Sequence, residues 1–248
     1  GLLCAKLIPI YGWHIMFLGA GCVSLLMWLM VYFFMTDSLE FILNNQDTHT
    51  LEEANKLLVK LNQPTLQSFP NIENVTVKVG VNALFIDTYK NSTIKVWVAA
   101  FFGFMTLYTL MSWVPTIAKD SGLPFELATW VGIMLNIGAA VGSASVGAIG
   151  SSFGLRQTIL TFMLIAFVVM QTYAFSTLTT ALIFVLVLLI GFFVQGGFNG
   201  IWPTLSRIYE AKIRATGVGY TVGIGRVGAI LGPLVFGYFS DLGLSIQA

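Results

Sequence analysis

Six stretches of the chain, at about residues 13–35, 96–117, 127–149, 157–176, 179–202 and 216–239, are apolar at nearly every position. A helix rises 1.5 Å per residue, so about 20 apolar residues cross the roughly 30 Å hydrocarbon core of a bilayer. The pattern predicts six transmembrane helices, an all-α membrane protein. Barrel strands would show segments of about ten residues with alternating polarity, whereas the run from Ala181 to Phe193 is apolar almost throughout. Helices also satisfy their own backbone groups where no water is available. Residues 1–12 read as the tail of an earlier span ending at Pro9 and Gly12, residues 36–95 as a long polar loop, and residues 240–248 as a short external tail.

Within the loop, Thr50-Leu51-Glu52-Glu53 has the form of a capping box, with Thr50 as the N-cap and Glu53 reaching back. An amphipathic helix should follow, with Leu51, Ala54, Leu57, Leu58 and Leu61 on one face and Asn62 to Pro64 ending it.

Composition gives the same solvent. Only 9% of the 248 residues are charged and 56% are apolar, and the mean hydropathy is +0.84. Soluble domains carry about 25% charged residues, so a soluble fold is excluded. The net charge of +1 and the lack of any long basic run argue against nucleic acid as a partner. Cys4 and Cys22 lie in apolar surroundings without metal-ligand spacing and read as small buried apolar residues. The start Gly1-Leu2-Leu3-Cys4 shows no charged leader before an apolar core, and the expectation is a segment of something longer.

The basic residues orient the spans. Five fall in the 36–95 loop, Arg156 in the loop at 150–156, and Arg207, Lys212 and Arg214 in the loop at 203–215, against Lys119 and Lys6 on the other side. The positive-inside bias therefore places the 36–95 loop in the cytoplasm. The sequons at Asn74 and Asn91 fall in that loop and are discarded as glycosylation sites.

Arg226 alone among the basic residues lies near the middle of a span. Its cost there, at least roughly 2.5–3.5 kcal/mol on insertion scales, requires it to face the bundle interior or a wet cavity. A guanidinium in that setting pairs with a carboxylate. The partner is a substrate carboxylate, a protein carboxylate from outside this segment, or backbone and water. The surrounding Gly223-Ile224-Gly225-Arg226-Val227-Gly228 matches a dinucleotide fingerprint, but that motif needs a strand and a turn before its helix, so it is rejected. Gly219 with Gly223 and Gly228 with Gly232 have spacing for close helix contact, and Gly232-Pro233 predicts a kink.

Neutral polar groups in the spans, Tyr108, Asn136, Gln195 and Asn199 among them, are helix–helix glue individually and a possible cavity lining together with aromatic residues such as Phe104, Phe198 and Trp202. Trp13 and Trp97 suit the interfacial belt. His14 and His49 are the only histidines, and neither a metal cluster nor a nucleophile elbow is present. The expectation is a transporter or channel with no metal or cofactor, not an enzyme. A membrane scaffold or subunit without transport of its own is the alternative from another class.

Gly12-Trp13-His14, Ser112-Trp113-Val114-Pro115, and the run from Tyr209 through Arg214-Ala215-Thr216-Gly217-Val218-Gly219 to Gly225-Arg226-Val227-Gly228-Ala229-Ile230-Leu231-Gly232-Pro233 resemble, as a set, the aromatic acid:proton symporter branch of the major facilitator superfamily. The resemblance covers nearly the whole chain. It implies a partial facilitator helical bundle, spans 6 to 11 of twelve, with 36–95 as the central cytoplasmic loop, the N-terminal half of the carrier missing, and two halves rocking about a midplane site. It further implies proton-coupled import of a small organic acid by a monomer in the bacterial inner membrane, with a sugar or other neutral metabolite as the alternative cargo. By the same resemblance Arg226 is the family's helix 11 arginine, and Arg214 and Arg156 are gating residues. Tyr108, Asn136, Gln195, Asn199 and Trp202 complete the expected substrate site. Gly150–Arg156 lacks the Asp and most of the basic residues common in that loop, and Thr36-Asp37-Ser38 replaces the usual Pro-Glu-Ser.

Overall fold

The computed structural model describes residues 12–35, 48–68, 80–176 and 179–242. All the described regular elements are helices, six of them long and apolar enough to cross a membrane. The chain divides into two units, residues 1–78 and 79–248.

The first unit contains α1 (His14–Phe34) and α2 (Thr48–Lys60). At 21 residues α1 is about 32 Å long, and it carries no Asp, Glu, Lys or Arg. Cys22 is an exposed free thiol on α1. It is not the protein-buried residue expected, because in a span the bilayer supplies the apolar surroundings. In α2 the helix starts at Thr48, so Thr50 lies inside it and is not its N-cap. Ala54 and Leu58 are buried as their spacing predicts, while Leu61, past the helix end, is exposed. Asn62 ends α2 in the left-handed region, φ 54°. Its amide donates to the Val59 carbonyl and that of Gln63 to the Leu58 carbonyl, which is a Schellman closure with Asn in the place of Gly. The Asn55 side chain then brackets Leu66, donating to its carbonyl at 3.0 Å and accepting from its amide at 2.8 Å. Residues 1–11 and the Asn74 sequon lie outside the described residues.

The second unit opens with a short 3-10 helix, Val81–Phe85. It continues through α3 (Asp87–Asp120), α4 (Phe125–Phe153), α5 (Leu155–Phe175), α6 (Thr180–Asn199), α7 (Ile201–Ile208) and α8 (Ala211–Asp241). The 36–95 loop is thus shorter than the polarity pattern suggests, since α3 begins nine residues before the apolar run and takes polar residues into its first turns. The Asn91 sequon falls on this helix with Thr93 fully buried. The apolar run at 179–202 also divides. Pro203 has no amide to donate to the Asn199 carbonyl, and the chain breaks at Gly200 between α6 and α7. Helix α8 continues through Pro233, the position of the expected kink, as one helix.

Two helix pairs dominate the packing. Along α4 and α6, a side chain at Gly138, Gly142 or Gly191 would run into backbone carbonyls of the facing helix, those of Leu188, Phe192 and Leu135. Along α3 and α8, Gly228 abuts the Phe101 carbonyl and Gly232 the Met105 carbonyl. Gly228 and Gly232 therefore fulfil their predicted contact. Gly219 and Gly223 meet nothing within 4 Å among the described residues. Phe104, Leu107, Val131, Leu135, Val187 and Ile190 form the core between these pairs. The α4–α5 connection is Gly154 alone, at φ 88°, a conformation for which glycine is the natural residue.

Candidate functional site

Arg226 stands at the centre of α8, fifteen residues from either end of the helix. The close glycine seam with α3 puts it beside Tyr108. Its Nη1 donates to the Tyr108 hydroxyl at 2.6 Å, and its guanidinium carbon lies 5.7 Å from the ring centroids of both Phe104 and Tyr108. These rings are stacked at 6.2 Å. Phe104 in turn meets Phe198 of α6 edge-on at 4.8 Å, and Phe198 meets Trp202 of α7 edge-on at 6.3 Å. A row of four aromatic rings from α3, α6 and α7 thus runs away from one exposed guanidinium. Ring faces attract the cation, by about 0.5–1 kcal/mol each at exposed sites. No carboxylate among the described residues pairs with Arg226.

The other candidates divide. Asn136 and Gln195 line one crevice with Leu107, Leu110 and Met111 at the junction of α3, α4 and α6. Both are already engaged within the protein. Asn136 Nδ2 donates to the Gly132 carbonyl of its own helix at 2.8 Å, and Gln195 Nε2 to Asn199 Oδ1 at 3.3 Å. Asn199 Nδ2 donates to Ser143 Oγ at 2.7 Å, and Ser143 to the Ala139 carbonyl at 2.7 Å. This chain of bonds ties α6 to α4. Ser143 was missed from the sequence; its spacing from Ala139 and Asn136 on one face of α4 was the available signal. Trp202 joins the aromatic row through the Phe198 ring.

Neither Arg214 nor Arg156 is paired with a carboxylate among the described residues. Arg214 Nε donates to the Tyr209 carbonyl at 3.3 Å, while Arg156 is exposed in the first turn of α5. Near Arg214 lies a second polar group that the sequence did not single out. The Tyr209 hydroxyl donates to Thr93 Oγ1 at 2.9 Å and Thr93 to the Leu84 carbonyl at 3.1 Å, all deeply buried. Beside it the Tyr89 hydroxyl donates to Glu210 Oε1 at 2.8 Å. No group of three or more His, Cys, Asp or Glu among the described residues is placed to hold a metal.

A sequence profile for the Major Facilitator Superfamily matches residues 1–233. The chain is 29% identical to a 4-hydroxybenzoate transporter of Pseudomonas aeruginosa, over 100% of this chain and 56% of that protein. It is 29% identical to a gallate transporter of Pseudomonas putida, over 99% and 55% respectively. To a benzoate transport protein of Acinetobacter baylyi it is 24% identical, over 96% and 51%. The chain spans about half the length of these relatives.

Proposed function

Since this chain belongs to the Major Facilitator Superfamily, we propose that it forms part of a secondary transporter that imports a small aromatic acid by proton symport. The observation that carries this reading is the mid-span Arg226, open on one side, without a carboxylate partner among the described residues and backed by a row of aromatic rings. A cation held at this depth is stabilised by an anion, and a ring-bearing carboxylate suits both the charge and the aromatic row. The names of the relatives, transporters of 4-hydroxybenzoate, gallate and benzoate, support the same substrate class. Tyr108 joins Arg226 in binding the acid, Trp202 backs the site through the Phe198 ring, Asn136, Gln195 and Asn199 form the neighbouring wall along α4 and α6, Arg214 and Arg156 take gating roles at its cytoplasmic end, and the N-terminal half of the carrier supplies the opposing wall. The carrier acts as a monomer in a bacterial inner membrane with residues 36–95 on the cytoplasmic side.

Uptake of radiolabelled 4-hydroxybenzoate by the full-length carrier in proteoliposomes tests the proposal. An inward proton gradient should accelerate uptake, and Arg226→Ala should lower it at least tenfold, the equivalent of about one charge-assisted hydrogen bond. Undiminished uptake by Arg226→Ala removes Arg226 from the site. Inhibition by polyols but not by carboxylates transfers the carrier to neutral cargo.

A further inference from the structure

We propose that the Tyr108 hydroxyl is the second donor of the carboxylate site: it holds the Arg226 guanidinium by accepting from it and gives its own proton to the same bound carboxylate. The inference rests on the reading of Arg226 as the carboxylate anchor and deepens it.

A tyrosine hydroxyl has one proton to donate and lone pairs with which to accept. Here a lone pair takes the Arg226 Nη1 hydrogen at 2.6 Å. Its proton meets no acceptor among the described residues. Accepting from a cation polarises the O–H bond and strengthens it as a donor. The guanidinium has five N–H donors, and Tyr108 is its single hydrogen-bond partner among the described residues. Two unspent donor groups therefore stand within one hydrogen bond of each other, with no acceptor among the described residues to quench them. A planar anion with two oxygens fits that pair, one oxygen for each group.

The hydroxyl is also fixed in place. The Tyr108 ring stacks on Phe104, which is only 7% exposed and is braced edge-on by Phe198 at 4.8 Å. Preorganisation of this kind removes ordering cost from binding. Asn136, Gln195 and Asn199 differ, since each already donates to another protein group. The clamp also sets specificity. A carboxylate accepts from both groups, whereas the amide isostere has one acceptor oxygen and turns N–H donors toward donors.

The test uses the full-length carrier in proteoliposomes with benzoate as substrate and benzamide as competitor. Tyr108→Phe keeps the ring and removes only the hydroxyl. It should raise the KM for benzoate roughly 10- to 100-fold, the worth of a charge-assisted hydrogen bond, while the maximal rate falls less than about threefold. The preference for benzoate over benzamide should fall by the same factor as the affinity. In the double variant with Arg226→Lys the losses should combine to less than their product, because the two groups act as one unit. A KM for Tyr108→Phe within twofold of wild type overturns the clamp, as does an equal weakening of benzoate and benzamide. If Arg226→Ala abolishes uptake while Tyr108→Phe is silent, the clamp fails and the anchor stands. If the wild-type carrier takes up no aromatic acid, both fail.

Discussion

Tyr209 and Thr93, 1% and 0% exposed, place two hydroxyls inside an apolar seam formed by Leu84, Val96, Leu205 and Ile213. Each is tolerated because the protons run in one direction, from Tyr209 to Thr93 to the Leu84 carbonyl. Removing the middle member differs from removing the end. Thr93→Val strands both a buried donor and a buried acceptor, at about 1–3 kcal/mol for each group left unmatched. Tyr209→Phe removes the first donor and leaves Thr93 bonded to Leu84, at about 0.5–1.5 kcal/mol. Unfolding of the purified protein in mixed detergent should therefore show Thr93→Val as the more destabilised variant, and the reverse order would show that the chain does not act as a relay. None of this was visible in the sequence. The two residues are 116 positions apart, and Thr93 stood out only as the third residue of a discarded sequon. Arg226 was legible for the opposite reason, since one charge inside a long apolar run needs no partner to be conspicuous. Tyr108 was one polar aromatic among several, and its bond to Arg226, which crosses from α3 to α8, raises it above the rest.

At the scale of elements, hydropathy found the spans and missed where the helices end. It registers lipid exposure, whereas α3 continues below the apolar run because Thr93, Val96 and Tyr89 pack against the 3-10 helix and the α7–α8 corner. Helix spacing alone also could not tell which glycines pack. On α8 both the pair at 219 and 223 and the pair at 228 and 232 satisfy the small-residue rule, and only the second faces α3. The tightest seam, between α4 and α6, depends on Gly138 and Gly142 meeting Leu188 and Phe192 backbone. Without a hydrophobic drive between helices in lipid, such close backbone approach is a main source of association. Gly142→Ala should therefore destabilise by about 1–3 kcal/mol, as overpacking does. Gly147→Ala on the same helix meets nothing within 4 Å and should be neutral or stabilising by up to about 1 kcal/mol. Detergent unfolding of the two variants provides the comparison, and equal effects would show that α4 and α6 are not held by this seam.

For the molecule as a whole, the contacts fix which helix ends lie together. Arg226 lies on α8 between Gly225, packed on Phe104, and Gly228, packed on Phe101, while Gly237 further along meets Trp113, so α3 and α8 run parallel. The Tyr89–Glu210 bond joins the first turn of α3 to the residue before α8. Gly196 and Gly200 of α6 meet Phe162 and Ile159 of α5 in reverse order, so these two run antiparallel and the α4–α5 turn lies at the α6 end that leads to α7. One end of the second unit thus gathers Lys90, Lys95, Arg156, Arg207 and Arg214, and the other holds Lys119 with Asp120, Glu126 and Asp241. Cytoplasmic loops retain basic residues, which predicts that the first end faces the cytoplasm. Single cysteines report on each end directly once Cys4 and Cys22 are replaced by serine. Ser121→Cys, exposed at the α3–α4 turn, should react with a membrane-impermeant maleimide in intact cells. Ser151→Cys, exposed near the α4–α5 turn, should react only after permeabilisation. Labelling of both in intact cells would mean the helices do not alternate across the bilayer as their packing requires. A reversed pattern would invert the carrier and put Arg214 and Arg156 at the outer face, where they could not act as gates on the cytoplasmic side.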